Sequence, residues 1–159
     1  MPIAVQSEFQ HARFANTPTW SPRIIAFVCH WETYASASLA GGGLLPGNAN
    51  VRIVRLTCGS RVDPLLIVKA FENGADGVIV SECPIQDCHY NPGKDHARRL
   101  SSVLHDLLGI LGVEEERVAF SAVPASAREK WQEVVRETSE RIRRLGPLAR
   151  LDQRQGLWQ

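Results

Sequence analysis

Apolar residues along this chain fall into short blocks that are separated by longer segments of mixed polarity. The short blocks predict β-strands at residues 23–28, 51–57, 77–81 and about 117–123. In the segments after them, apolar residues recur at helical spacing and predict helices at about 34–40, 64–73, 95–108 and 126–145. Strands that alternate with helices in this way are typical of a parallel sheet.

The order of these elements predicts an α/β fold with one small, four-stranded parallel sheet of the flavodoxin-like type. Crossover connections between parallel strands are almost always right-handed, and this favours the strand order 2-1-3-4 with helices flanking the sheet. The elements occupy residues 23–146, which we interpret as one domain. Residues 1–22 then form an N-terminal arm, and residues 147–159 form a C-terminal docking tail.

Local signals mark the ends of two helices. Asp63 followed by Pro64 predicts a helix start, because aspartate caps the free amides and proline fits the first helical position. Asn73-Gly74 predicts a left-handed end for the same helix. Ser126 and Glu129 have the spacing of a capping box and predict the start of the last helix.

The composition indicates a globular protein and argues against membrane-spanning and nucleic-acid-binding classes. The chain has 159 residues, of which 44% are apolar and 22% charged, as in an ordinary globular domain. No apolar run approaches the roughly 20 residues that span a bilayer, and residues 1–22 lack the apolar stretch of a signal peptide, so we expect a cytoplasmic protein. A net charge of +1 lacks the broad basic footprint of most nucleic-acid-binding proteins.

The cysteines carry the clearest chemical signal. Three predicted strands run into a cysteine, at Cys29, Cys58 and Cys83, and Cys88 follows in the loop after the third strand. The chain has only these four cysteines. Because the carboxyl ends of parallel strands open onto one edge of the sheet, the four thiols can meet there. Four thiolates at one point usually hold a metal, so all four are candidate metal ligands.

Other interpretations of the cysteines stay open from the residues alone. Each cysteine could be a buried apolar residue, and a disulfide between Cys83 and Cys88 is sterically possible, although a reducing compartment argues against it. Spacings of 29, 25 and 5 residues do not form the paired knuckles of most zinc sites and slightly favour an iron–sulfur cluster. A cysteine nucleophile paired with His30 or His89 is a further alternative.

Four sequence blocks carry a resemblance to a known family. They read FVCHWETYA at 27–35, CGSRVDP at 58–64, GADGV at 74–78 and CPIQDCHY at 83–90. Together they resemble the delta subunit of methyl-viologen-reducing hydrogenase, over about residues 23–146. The resemblance implies an electron-transfer subunit with a [2Fe–2S] cluster on Cys29, Cys58, Cys83 and Cys88. It also implies that the subunit connects an electron donor to the flavoprotein subunit of a heterodisulfide reductase-like complex.

The chain departs from the family pattern at one position. Family members usually have a cysteine where this chain has Glu32, so one of five common cysteines is missing and four remain. Four is the number that a fully thiolate-ligated cluster requires. The loss of the fifth cysteine leaves a second interpretation open, in which a cluster-free or zinc-bearing subunit bridges other proteins of the same kind of complex.

Overall fold

Strands and helices alternate along the part of the chain that the computed structural model describes, residues 20–41, 50–90 and 95–149. The strands there are β1 (Arg23–Cys29), β2 (Asn50–Leu56), β3 (Gly77–Glu82) and β4 (Val118–Ala122). The α-helices are α1 (Thr33–Leu39), α2 (Pro64–Glu72), α3 (Asp95–Leu111) and α4 (Arg128–Leu145). None of these helices combines the length and the apolarity needed to cross a membrane. Most of the predicted arm (1–22) and tail (147–159) lies outside the described residues.

The four strands form one parallel sheet in the order β2-β1-β3-β4, which confirms the predicted fold class and strand order. β1 lies between β2 and β3, and β4 pairs with the far side of β3. In this register the strands end at the same edge of the sheet. We call it the cysteine edge, because Cys29, Cys58 and Cys83 lie at or just after the ends of three strands.

Helices cover both faces of the sheet. α1 and α4 pack on one face, and α2 and α3 pack on the other. The first layer buries the side chains of Ile24, Ala26, Val28, Ile79, Trp131 and Val135. The second layer buries those of Phe27, Val78, Val80, Ile67, Phe71, Leu104 and Leu108. Successive residues of a strand therefore point into different layers. This alternation also decides toward which layer each side chain at the cysteine edge points.

The helix starts confirm one of the two predicted caps. Asp63 caps α2, where its Oδ1 accepts a hydrogen bond of 2.9 Å from the second helical amide. The capping box predicted at Ser126 and Glu129 is wrong, because Ala127 is the N-cap of α4 and no side chain caps this helix. The physical reason is a turn before the helix. The amide of Ala127 donates to the carbonyl oxygen of Pro124 at 3.1 Å, so Ser126 lies inside that turn.

The two ends of the domain meet at the edge opposite the cysteine edge. Asp76, fully buried before β3, accepts hydrogen bonds from the amide of Arg23 at 2.9 Å and from the amide of Leu148 at 3.2 Å. Arg117, also buried, donates to the carbonyl oxygens of Asp76 and Gly146, each at 3.0 Å. Leu148, in the first part of the predicted tail, packs in the second core layer. The chain therefore enters and leaves the domain side by side, away from the cysteines.

Candidate cysteine site

All four cysteines carry free thiols. Cys29 is the last residue of β1 and Cys83 directly follows β3, and both are buried. Cys58 follows β2 by two residues and is also buried, whereas Cys88 is half-buried in the loop after β3. The thiols of Cys83 and Cys88 are not joined, so the structure does not contain the disulfide that the sequence left open.

Cys83 interacts with two of the other thiols. Burial raises the pKa of the Cys83 thiol far above its ordinary range, and hydrogen-bonding and charge interactions with Cys88 and Cys29 raise it further. Both causes disfavour the thiolate. A cysteine nucleophile needs the opposite shift, so Cys83 does not fit the thiol-enzyme alternative.

A glycine allows the fourth cysteine to approach this part of the sheet. After β2 the chain contacts the ends of β1 and β3. Gly59 lies so close to β3 that a β-carbon there would stand 2.8 Å from the carbonyl oxygen of Ser81, so only glycine fits without a shift. In the same turn the sulfur of Cys58 and the hydroxyl of Ser60 are hydrogen bonded at 3.1 Å. Cys58 therefore lies on the same edge as the other three thiols.

The chemistry of this donor set suits an iron–sulfur cluster, although the described residues form no site for a single metal ion. Across residues 20–41, 50–90 and 95–149, no group of three His, Cys, Asp or Glu side chains could hold a metal ion. The thiols of Cys29 and Cys88 nevertheless interact with that of Cys83, and soft thiolates are the usual ligands of such clusters. A cationic iron centre would replace the proton that burial keeps on Cys83. The four-cysteine ligand set itself stays a prediction.

Glu32, where the family resemblance predicts a fifth cysteine, has a structural role. Its Oε2 accepts a hydrogen bond of 2.7 Å from the amide of Ala125. This bond ties the loop after β1 to the loop after β4, since the two residues are 93 positions apart. The carboxylate therefore serves loop packing, and the candidate ligands remain the four cysteines.

The surface beside the cysteines is rich in exposed rings and apolar groups. Trp31 stacks on His89 with 4.2 Å between the ring centroids and an interplanar angle of 11°. Trp31, Ile85 and Tyr90 are 42%, 51% and 52% exposed, and each is two residues from a cysteine. A cleft of about 450 Å³ opens beside them; it is lined by Leu56, Thr57, Cys58, Arg61 and Tyr90. Exposed apolar groups clustered in this way suit contact with another protein.

The sequence pattern did not single out a set of hydroxyls behind Cys83. Thr33, Ser81 and Ser121 are linked by hydrogen bonds on the face of the sheet that α1 and α4 cover. The strand sequences nevertheless contain a signal for two of these hydroxyls. Ser81 and Ser121 are polar residues in otherwise apolar blocks, and they lie opposite each other in the register of β3 and β4. A hydroxyl inside a sheet layer needs a partner, and the register supplies it.

Fold and site together define a small parallel α/β protein with thiols gathered at its strand ends. The sequence matches the family model described as methyl-viologen-reducing hydrogenase, delta subunit, over residues 24–146. The chain belongs to this family, as its motifs predicted.

Relatives of two kinds match this chain. An iron-sulfur subunit of F420-non-reducing hydrogenase from Archaeoglobus profundus is 44% identical over 128 residues, which cover 80% of this chain and 93% of the relative. The iron-sulfur subunit of the vhc F420-non-reducing hydrogenase from Methanococcus voltae is 40% identical, with 80% and 89% covered. A subunit of the ferredoxin/F(420)H(2)-dependent CoB-CoM heterodisulfide reductase from Methanosarcina acetivorans is 31% identical over 127 residues, which cover 80% of this chain and 16% of the relative. The same domain thus occurs both within a longer chain and as a separate subunit.

Proposed function

We propose that this chain is an electron-transfer subunit of a hydrogenase or heterodisulfide reductase complex, with a [2Fe–2S] cluster held by Cys29, Cys58, Cys83 and Cys88. The observation that carries the proposal is the interaction of buried Cys83 with the thiols of Cys29 and Cys88, at an edge that also bears Cys58. Relatives named iron-sulfur subunits support iron as the metal. Such a cluster supplies the capacity to take up and release single electrons.

In this proposal the protein contributes placement, burial and hydrogen bonding. The buried sulfurs of Cys29, Cys58 and Cys83 are shielded from water. The hydroxyl of Ser60, 3.1 Å from the sulfur of Cys58, is able to donate a hydrogen bond to a thiolate there. Burial and hydrogen bonds to sulfur are the means by which a protein sets the potential of a cluster.

The proposed partners are a heterodisulfide reductase-like subunit with flavin and iron–sulfur groups, and a second protein that donates electrons. Support comes from the Methanosarcina relatives, in which the matching region is a segment of a heterodisulfide reductase subunit. Both partners would have to approach the cysteine edge, because the proposed cluster ligands lie there; Trp31, Ile85 and Tyr90, each two residues from a cysteine, are exposed for such a contact. In this proposal the subunit works in a reducing cytoplasm, in which cysteine thiols stay free.

Metal analysis of anaerobically purified protein tests the cluster. We expect about two iron and two acid-labile sulfide per chain, and an EPR signal that appears on reduction. Serine at Cys29, Cys58, Cys83 or Cys88 removes a ligand, so each variant should lose or alter the signal. Ser60→Ala is the matched control for iron content, because it keeps all four sulfurs and removes only a hydrogen-bond partner of Cys58. Protein without iron after reconstitution, or serine variants that all keep the parent signal, would contradict the proposal.

A charge placed on the surface tests the docking edge. Ile85→Glu should weaken association about tenfold or more with the heterodisulfide reductase-like partner, because a carboxylate replaces an exposed apolar contact. Ile110→Glu is the control, since Ile110 is 73% exposed near the end of α3, at the opposite edge of the sheet. Equal effects of the two substitutions would rule out docking at the cysteine edge.

A cluster-free or zinc-bearing bridging subunit is the second candidate function. Glu32 in place of a family cysteine favours it, and the lack of any group able to hold a metal ion among the described residues favours its cluster-free form. Zinc at about one equivalent per chain, without iron, would support the zinc-bearing form. Partner binding by metal-free protein would support the cluster-free form.

A further inference from the structure

Behind Cys83, three hydroxyls form a hydrogen-bonded series that runs in one direction. Ser121 Oγ donates to Ser81 Oγ at 2.9 Å, and Ser81 Oγ donates to Thr33 Oγ1 at 3.2 Å. Thr33 Oγ1 in turn donates to the carbonyl oxygen of Glu82 at 2.9 Å. Thr33 and Ser81 are fully buried. Hydrogen bonds arranged in series strengthen one another in a low-dielectric interior.

The series ends where three segments of the chain meet. The carbonyl oxygen of Glu82 also accepts a hydrogen bond of 3.0 Å from the amide of Val123. Thr33 Oγ1 lies 3.3 Å from the carbonyl oxygen of Val123. From the start of α1, Thr33 therefore contacts the ends of β3 and β4, which are 49 and 90 residues away along the chain. Local chain geometry alone does not hold these segments together.

We propose that Thr33 is a positioning residue that holds the segment after Cys29 against the peptide before Cys83, and so sets the geometry and the electron affinity of the cluster. The effect on the cluster rests on the proposed function. Thr33 is four residues after Cys29, and its partner Glu82 is bonded directly to Cys83. One side chain thus braces two segments that each carry a candidate ligand.

A single peptide group links the Thr33 hydroxyl to the electrostatics around Cys83. The carbonyl of Glu82 and the N–H of Cys83 belong to the same amide. Hydrogen bonds to the carbonyl oxygen polarise this amide and leave its N–H more positive. A more positive N–H beside the sulfur of Cys83 favours the reduced, more negative state of the cluster. Loss of the Thr33 hydroxyl should therefore lower the midpoint potential and also loosen the site.

Three substitutions separate this role from a general effect on folding. Thr33→Val keeps the shape of the side chain and removes the hydroxyl, whereas Thr33→Ser keeps the hydroxyl. Ser36→Ala is the matched control. Ser36 lies one turn further along α1 and is also buried, but its hydroxyl has no hydrogen-bond partner within the described part of the chain.

Alkylation of the cluster-free chain tests the brace without a cofactor. With iodoacetamide and mass spectrometry, we expect Thr33→Val to raise the modification rate at Cys83 about tenfold, the factor that corresponds to about 1.4 kcal/mol. The modification rate at Cys58 should stay within about twofold of the parent, because the turn that carries Cys58 packs closely on β3 at Gly59 and does not depend on the Thr33 hydroxyl. Thr33→Ser and Ser36→Ala should resemble the parent at both cysteines. An unchanged rate at Cys83, or an equal rise at every cysteine, would overturn the brace.

Redox titration of the loaded protein tests the effect on the cluster. Thr33→Val should have a lower midpoint potential than the parent, and Thr33→Ser should restore it. Equal potentials in the parent and Thr33→Val would overturn the proposed effect on electron affinity. A parent chain that binds no cluster would contradict the proposed function, and the alkylation rates would then still decide for or against the brace.

Discussion

Gly59 is the position at which the smallest side chain should most disturb the candidate site. A β-carbon added there would stand 2.8 Å from the carbonyl oxygen of Ser81 and 3.1 Å from both Cα and Cγ of Glu82. Two of these three atoms belong to the backbone of β3, which is paired on both sides and does not move aside easily. Gly59→Ala should therefore push the turn away from β3, and Cys58 with it.

The cost of this displacement follows from the distances. Ordinary contacts of a β-carbon begin near 3.4 Å, so the contact at 2.8 Å requires a shift of roughly 0.6 Å. Forcing an extra methyl group against rigid neighbours costs about 1–3 kcal/mol. The strain falls on the turn that carries Cys58. A functional site tolerates displacements of only about 0.5 Å, so cluster retention should suffer as well.

Urea denaturation of the cluster-free protein measures this cost, with Gly109→Ala as the control. Gly109 lies in α3, and no atom is within 4 Å of a β-carbon added there. Alanine at this position should raise the free energy of unfolding by about 0.5–1 kcal/mol through helix propensity. The same substitution should thus have opposite signs at the two glycines. Equal or higher stability of Gly59→Ala relative to the parent would refute the reasoning from the close approach.

The remaining predictions concern a cap, a buried charge and pH. Asp63→Ala removes the cap of α2 and should lower the free energy of unfolding in urea by about 1 kcal/mol, whereas Asp63→Asn should stay close to the parent. Arg117→Met leaves the carbonyls of Asp76 and Gly146 without their buried donor and should cost about 3 kcal/mol in the same assay; a cost below about 1 kcal/mol would contradict the role assigned to it. Burial raises the pKa of Glu82 above its ordinary value of 4.5, so the stability that this group contributes is full below that pH and is lost as the pH rises through the folded-state pKa. Glu82→Gln should remove this loss, so its stability relative to the parent should increase as the pH rises above about 4.5, and parallel curves of urea midpoint against pH would show the assignment to be wrong.

Much of the fold follows from local patterns in the sequence. Apolar blocks locate the four strands, and the rule of right-handed crossovers then favours the observed order β2-β1-β3-β4. Asp63 and Pro64 locate the start of α2, because capping acts within a few residues and needs no tertiary context. Gly74 has a φ of 88°, in agreement with the left-handed helix end that the sequence predicts.

The rest of the site depends on contacts between distant parts of the chain. Ser126 has the sequence of a cap, but the turn before α4 decides its place. The partner of Glu32 is 93 residues away, and the need for glycine at Gly59 arises from a strand on the far side of β1. Periodicity expresses only local preference, so it does not reveal such contacts. The shared edge of the cysteines was predictable because three of them end parallel strands, whereas their role as ligands stays a prediction.

The carboxylate of Asp76 joins the incoming and the outgoing chain through the amides of Arg23 and Leu148. A unit whose termini are neighbours is easily spliced into a larger polypeptide, because the host only has to open one loop to receive it. In two Methanosarcina proteins the matching region makes up 16% of a longer chain. The same architecture thus suits a separate subunit as well as a domain within a longer chain, because its two chain connections lie together at the edge away from the cysteines.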